Sequence, residues 1–137
     1  MILVDTNVWS ELTRATPNEQ VRAWEKANAP DLWLSTAVIG ELLSGAHRLP
    51  DGKRKTMFLD GYDQLVVVHA DRIASFDLAA ARHCGAVLAF QERNGRDPGT
   101  ADTQIAATAL ARGMALATRN VKRFHGLGLH VIDPWQV

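Results

Sequence analysis

The strongest constraint on the fold is an alternation. Short apolar runs at Ile2–Val4, Leu32–Leu34, Leu65–Val68, Ala115–Ala117 and Leu129–Ile132 are separated by longer segments in which apolar residues recur at helical spacing. The helical segments are Val8–Thr13, Asn18–Ala27, Ala37–Arg48, Lys53–Gln64, Arg72–Arg93 and Ala101–Arg112. Strands that alternate with helices need crossover connections, and these are right-handed. The pattern therefore predicts an α/β fold, a three-layer sandwich with a central, mainly parallel five-stranded sheet between helices. A chain of 137 residues is long enough for one core and too short for two ordinary ones, so a single domain over residues 1–137 is expected. No repeat, low-complexity tract or linker interrupts it.

Local signals place the helix ends. Ser35 or Thr36 is expected to cap the third helical segment, Asp71 the fifth and Thr100 the sixth. Asn94-Gly95 and Gly113 read as left-handed helix stops, and Asp97-Pro98-Gly99 as a turn.

Composition narrows the class. Fifteen basic residues balance fifteen acidic ones, so the molecule as a whole has no electrostatic attraction to nucleic acid or membrane. Charge distribution is more telling: no acid lies between Asp102 and Asp133, whereas Arg112, Arg119, Lys122, Arg123, His125 and His130 do. An ordinary solvated face and a cationic lip beside an anionic site both fit that pattern. No apolar stretch reaches the roughly 18 residues of a membrane span. The four-residue apolar start lacks a basic flank and ends in an acid, unlike a signal peptide, and a cytoplasmic location is expected. The lone Cys84 agrees with a reducing compartment and reads as packing rather than as a nucleophile.

Three acids stand out. The first apolar run stops on Asp5, and in an open α/β sheet ligands collect outside the carboxyl ends of strands; a helix N-cap is the plainer role for the same residue. Glu41 lies inside an apolar helix among Val38, Ile39, Leu42 and Leu43, an expensive place for a carboxylate without a partner, a proton or a metal. Asp102 sits in the first turn of an Ala-rich helix, where an acid also complements the helix dipole. Thr118 and Asn120 follow the fourth strand. If these strand ends and helix starts adjoin, the acids repel one another and make sense around a cation. Oxygen-only ligation selects Mg²⁺ or Mn²⁺ over zinc, and none of the five histidines has zinc-site spacing. A hard cation held by carboxylates suits phosphodiester chemistry. No glycine-rich phosphate loop is present.

Four blocks in this order, MILVDTNV, STAVIGELLSGA, TADTQIAATALARG and LATRNVKRF, with VIDPW closing the chain, resemble the PIN-domain ribonucleases. Within these the sequence is similar to the VapC toxins of toxin–antitoxin pairs and their FitB-like branch. The resemblance covers essentially the whole chain. It implies a PIN fold and a Mg²⁺-dependent endoribonuclease, with Asp5, Glu41 and Asp102 as metal-binding acids. Asn120 and Thr118 would complete the shell, Asn7 would orient Asp5 or cap the helix, and Arg112, Arg119, Lys122 and Arg123 would guide the RNA backbone. It further implies a homodimer, a cognate VapB-like antitoxin that blocks the crevice, and contact with DNA only indirectly through that antitoxin. One departure stands out: where much of the family has an acid after the T-R segment, this chain has Asn120 and, further on, Arg123. A centre working with one resident ion is therefore expected; the alternative is a second ion held weakly by Asn120, or only when an RNA phosphate supplies additional charge.

Two rivals are consistent with parts of the sequence. A catalytically degenerate PIN domain would bind RNA or a partner without cutting, and Asn120 favours it. An aspartyl phosphatase of the haloacid dehalogenase type also places an Asp after its first strand, but it needs a second acid two residues on, where this chain has Asn7, and a late lysine, for which only Lys122 is available. Trp9, Trp24, Trp33 and Trp135, with the apolar helices around Leu42 and Phe58, exceed what a small core obviously needs and suggest an interface collectively.

Overall fold

The computed structural model describes residues 1–97 and 99–137. Its centre is β1 (Ile2–Val4), which pairs in parallel with β2 (Leu32–Ser35) on one side and β4 (Ala115–Ala117) on the other. β3 (Ile73–Ala74) extends the sheet beyond β2, and β5 (Val131–Ile132) extends it beyond β4. The order is thus β3-β2-β1-β4-β5, with all pairs parallel. Leu3, Val4, Leu34 and Leu116 are fully buried, which is why the central strands read as continuous apolar runs: a parallel sheet covered on both faces has no solvent side for alternation.

Among the described residues, six helices flank the sheet in the three-layer α/β/α arrangement: α1 (Thr6–Leu12), α2 (Glu19–Asn28), α3 (Thr36–His47), α4 (Lys53–Val68), α5 (Leu78–Arg93) and α6 (Thr100–Arg112). α6 is the most deeply placed. Ile105, Ala106, Ala107 and Ala109 are fully buried, and the small alanine side chains let α5 and α3 pack closely against it. Gly113 ends α6 at φ 62°, the left-handed position its sequence predicts.

The third strand is not where the apolar run put it. Leu65–Val68 is the last turn of α4, and the strand is Ile73–Ala74. Phe58, Tyr62 and Leu65 continue a helical stripe into the core, while Val67 and Val68 are 66% and 56% exposed, a pattern that no strand in a covered parallel sheet shows. The backbone N–H and ring Nδ1 of His69 both meet the Leu65 carbonyl, at 3.1 and 2.9 Å, and close the helix. Residues 72–74 instead run beside β2, with the Leu34 N–H donating to the Arg72 carbonyl at 3.0 Å. The helix expected to start at Arg72 under an Asp71 cap consequently starts at Leu78, and its cap is Asp77, which accepts from the Ala80 N–H at 3.0 Å.

Other boundaries shift less. Ser35 caps α3 through the Val38 N–H, while the Thr36 hydroxyl accepts from the Phe76 N–H. Thr100 is the first residue of α6 rather than its cap, a place Gly99 takes, and the last strand is Val131–Ile132 rather than Leu129–Ile132. Asp5 starts α1 at Thr6, two residues before the expected start. The expected Asp97-Pro98-Gly99 turn includes Pro98, which lies outside the described residues. Trp9 and Trp24 are core residues at 3% and 7% exposure, which leaves Trp33 and Trp135 as the partly exposed tryptophans. Cys84 is half-buried on α5.

Candidate functional site

The chain builds the sheet outward from β1 through β2 to β3, then crosses back to lay β4 on the other side of β1. Strand order therefore reverses between β1 and β4, and in open α/β sheets the crevice at such a reversal is where ligands bind. Asp5 follows β1 directly and Thr118 follows β4 directly. The ladder fixes both: the Asp5 N–H donates to the Ala117 carbonyl and the Thr118 N–H to the Ile132 carbonyl, each at 2.9 Å.

Asp5 is only 3% exposed. One carboxylate oxygen accepts the Thr6 backbone N–H at 2.7 Å; the other accepts the Thr118 hydroxyl at 2.7 Å and the Asn7 side-chain amide at 3.0 Å. The residue is thus both the N-cap of α1 and a buried acid at the crevice, so the two roles suggested by its sequence position are not exclusive. Burial pushes its carboxyl above the ordinary value of 3.8; the Thr118 and Thr6 donors oppose that rise, and the charges of Asp102 and Glu41 add to it.

Asn7 ties the two strand ends together. Its amide also donates to the Thr118 hydroxyl oxygen at 3.1 Å, and its side-chain oxygen accepts the Arg119 N–H at 3.1 Å. The Thr118 hydroxyl, which is completely buried, also accepts the Asn120 N–H at 3.1 Å, so its one donor and two acceptor sites are all used. Glu41 accepts the Thr6 hydroxyl at 2.5 Å. Thr6 therefore serves two acids, through its backbone to Asp5 and its side chain to Glu41. The D-T-N tripeptide points to Asp5 but not to this role of Thr6, which depends on a partner 35 residues away. Asp102, in the first turn of α6, accepts from the Arg123 guanidinium, which is held above its usual pKa mainly by that hydrogen bond and by the Asp102 charge.

The three acids thus share one electrostatic neighbourhood, each with its own hydrogen-bond partner. Among the described residues, no group of three His, Cys, Asp or Glu side chains is drawn together tightly enough to hold an ion as placed. A cleft of about 360 Å³ opens on the Glu41 side, with Thr6, Arg14 and Arg54 in its wall, and one of about 370 Å³ opens on the Asp102 side, with Arg96, Lys122 and Arg123. Asn120 with Arg119, Lys122 and Arg123 borders a further recess. The fold does not bring Arg112 to this group. It lies ten residues beyond Asp102 on α6, roughly 15 Å along the axis, where it faces Asp77 at 4.0 Å and the Trp33 ring. The Arg119 guanidinium lies over the Trp135 ring, 5.1 Å from its centroid.

Residues 2–127 match the family model described as PIN domain. The chain belongs to the PIN domain family. As a PIN domain it is 40% identical over 138 residues to VapC ribonuclease Y4jK of Sinorhizobium fredii, an alignment covering 99% of each chain. It is 35% identical to toxin FitB of Neisseria gonorrhoeae, covering 98% of this chain and 99% of the relative. The crystal structure of FitAcB from the same organism superposes with a TM-score of 0.91 at 34% identity, covering both chains completely. This PIN domain thus falls among the VapC and FitB toxins, and the phosphatase alternative drops out.

Proposed function

We propose that this PIN domain is a Mg²⁺-dependent endoribonuclease toxin that hydrolyses RNA phosphodiester bonds, with Mn²⁺ able to substitute, and that a VapB-like antitoxin neutralises it. The observation that carries this reading is Asp5: a buried carboxylate, locked by three donors at the reversal of strand order, with two further acids raising its proton affinity. That arrangement costs folding energy, and a cation is what relieves it. The donor set contains only oxygens, which fits a hard ion.

Asp5, Asp102 and Glu41 are the residues that would hold the ion, with Asn120 as a weaker neutral donor. When bound, the ion supplies positive charge against the phosphodiester and acidifies a water. The surrounding residues orient the acids. Thr118 and Asn7 hold the Asp5 carboxylate in one rotamer, and Thr6 does the same for Glu41. Arg119, Lys122 and Arg123 provide a cationic lip that draws the RNA backbone toward the acids. In the reaction, water adds to phosphorus and the P–O bond to the leaving nucleoside breaks. One product keeps the phosphate, and the other leaves with a hydroxyl.

The antitoxin reading is supported by the 35% identity to toxin FitB of Neisseria gonorrhoeae. Through such an antitoxin the complex would meet DNA indirectly. We further take residues 1–137 as one domain, cytoplasmic, and homodimeric through helical surface such as that around Met57, Val67 and Val68 on α4, which are 73%, 66% and 56% exposed. No helix among the described residues is long and apolar enough to cross a membrane.

The test is cleavage of end-labelled structured RNA by purified protein in Mg²⁺ or Mn²⁺ against EDTA, with Asp5→Asn in parallel. Metal-dependent cutting that is lost in Asp5→Asn, with the circular dichroism spectrum retained, is the expected result. Cutting at the wild-type rate by Asp5→Asn would end this mechanism, and RNA binding without cutting would favour the degenerate domain.

A further inference from the structure

One cation already stands among the acids. Arg123 donates from its guanidinium to the Asp102 carboxylate and joins the first turn of α6 to the 3₁₀ turn Val121–Phe124 that follows β4. The base of this side chain is firmly placed. Its own N–H donates to the Asn120 carbonyl at 3.1 Å, the Gln91 amide reaches its carbonyl at 3.4 Å, and the next residue, Phe124, is 2% exposed in the core. The far end is not packed: the Arg123 side chain is 62% exposed against 24% for Asp102. An anchored backbone with an exposed guanidinium on Asp102 holds positive charge at the acids without involving the core.

Its neighbours set its electrostatics. Asp102 is in contact, and the charges of Asp97 and Asp5 also act on it. On the Asp102 side of the crevice, Arg119 lies over Trp135 and Arg96 donates to the His125 carbonyl. A solvent-exposed ion pair is ordinarily worth little to stability, so stability alone gives no reason to place a permanent cation on this acid. For ion binding the effect is large, because the same carboxylate oxygen cannot serve a guanidinium and a divalent cation equally.

We infer that Arg123 is a fixed counter-cation that takes the place of one divalent ion among the acids, so that the centre admits a single ion and Arg123 sets that number. The inference rests on the reading of Asp5, Glu41 and Asp102 as holders of a hard ion. A two-ion centre places positive charge against both the attacking and the leaving oxygen. Here a guanidinium, which cannot lose its proton, provides one of those charges from within the chain.

The experiment counts ions. Metal-free wild type, Arg123→Lys, Arg123→Ala and Arg123→Asp are titrated with Mn²⁺ by calorimetry, and bound Mn²⁺ is counted by electron paramagnetic resonance without RNA. Wild type and Arg123→Lys are expected to bind one ion. Arg123→Ala is expected to bind it about tenfold more tightly, the size of one released charged hydrogen bond. Arg123→Asp is expected to bind two. Should Arg123→Asp fail to fold, Arg123→Ala decides through affinity alone, since its exposed side chain leaves the core untouched. Two ions in wild type, or unchanged affinity in Arg123→Ala, would overturn the role of Arg123 while leaving the metal-dependent nuclease standing. No Mn²⁺ bound by wild type, together with RNA cleavage in EDTA, would remove both.

Discussion

Replacing Thr118 by valine isolates the single hydroxyl on which the buried carboxylate depends. The side chain is completely buried and the exchange nearly conserves volume, so no cavity forms. Three contacts change. The hydroxyl donates to Asp5 at 2.7 Å, and a hydrogen bond to a charged partner contributes about 1.5–3 kcal/mol. Asn7 loses an acceptor at 3.1 Å but keeps Asp5 at 3.0 Å, and the Asn120 N–H lies in an exposed stretch where water replaces the lost oxygen. The net expectation is a loss of about 2–3 kcal/mol at pH 7, read by urea unfolding. The loss must also depend on pH. The Thr118 donor opposes the rise in the Asp5 pKa, so removing it pushes that pKa further up. The cost is full where Asp5 is ionised in wild type and shrinks as pH falls through the folded-state pKa toward 3.8, because a protonated carboxyl depends less on the donor. A loss below about 0.5 kcal/mol at pH 7, or one equally large at pH 7 and pH 4, would refute the role given to this bond.

Asp77→Ala should cost about 1 kcal/mol of stability as the loss of a helix cap, whereas Asp71→Ala, whose side chain is 82% exposed, should cost less than about 0.5 kcal/mol; thermal unfolding of the pair checks where α5 begins. Because the Asp5 pKa is raised in the folded protein, its contribution favours folding below 3.8 and is lost as pH rises through the folded value, so calorimetry in EDTA should show this part of the stability declining toward neutral pH. Millimolar Mg²⁺ should then raise the wild-type melting temperature at pH 7.5 and leave that of Asp5→Ala unchanged, since an ion that binds only the folded state stabilises it by mass action.

The parts of the fold that were legible are those where local pattern and tertiary environment agree. Ile2–Val4 and Ala115–Ala117 are short, wholly apolar and followed by polar residues, and both are central strands with the expected bounds. Leu65–Val68 misled because a β-branched run at the end of a helix carries the same local signal as a strand. What separated the two was the stripe of Phe58, Tyr62 and Leu65 three and four residues apart, which only packing against the core makes decisive. The real third strand, Ile73–Ala74, is too short to carry a period at all. At the site, Asp5 was legible from its place at a strand end. Thr6 was not, because its importance lies in a contact 35 residues away in sequence. The Arg123 pair with Asp102 was equally hidden, since it links residues 21 apart on separate elements.

The two outermost strands, β3 and β5, are each two residues long. A sheet normally grows at its rim, where unpaired backbone groups accept a strand from another molecule, and amyloid and strand-donation complexes both exploit such rims. Here the rim is too brief to register an incoming strand. The accessible route for a second copy or an inhibitor to gain area is then across helices and loops, so inhibitors designed as extended strands would find little purchase on this molecule.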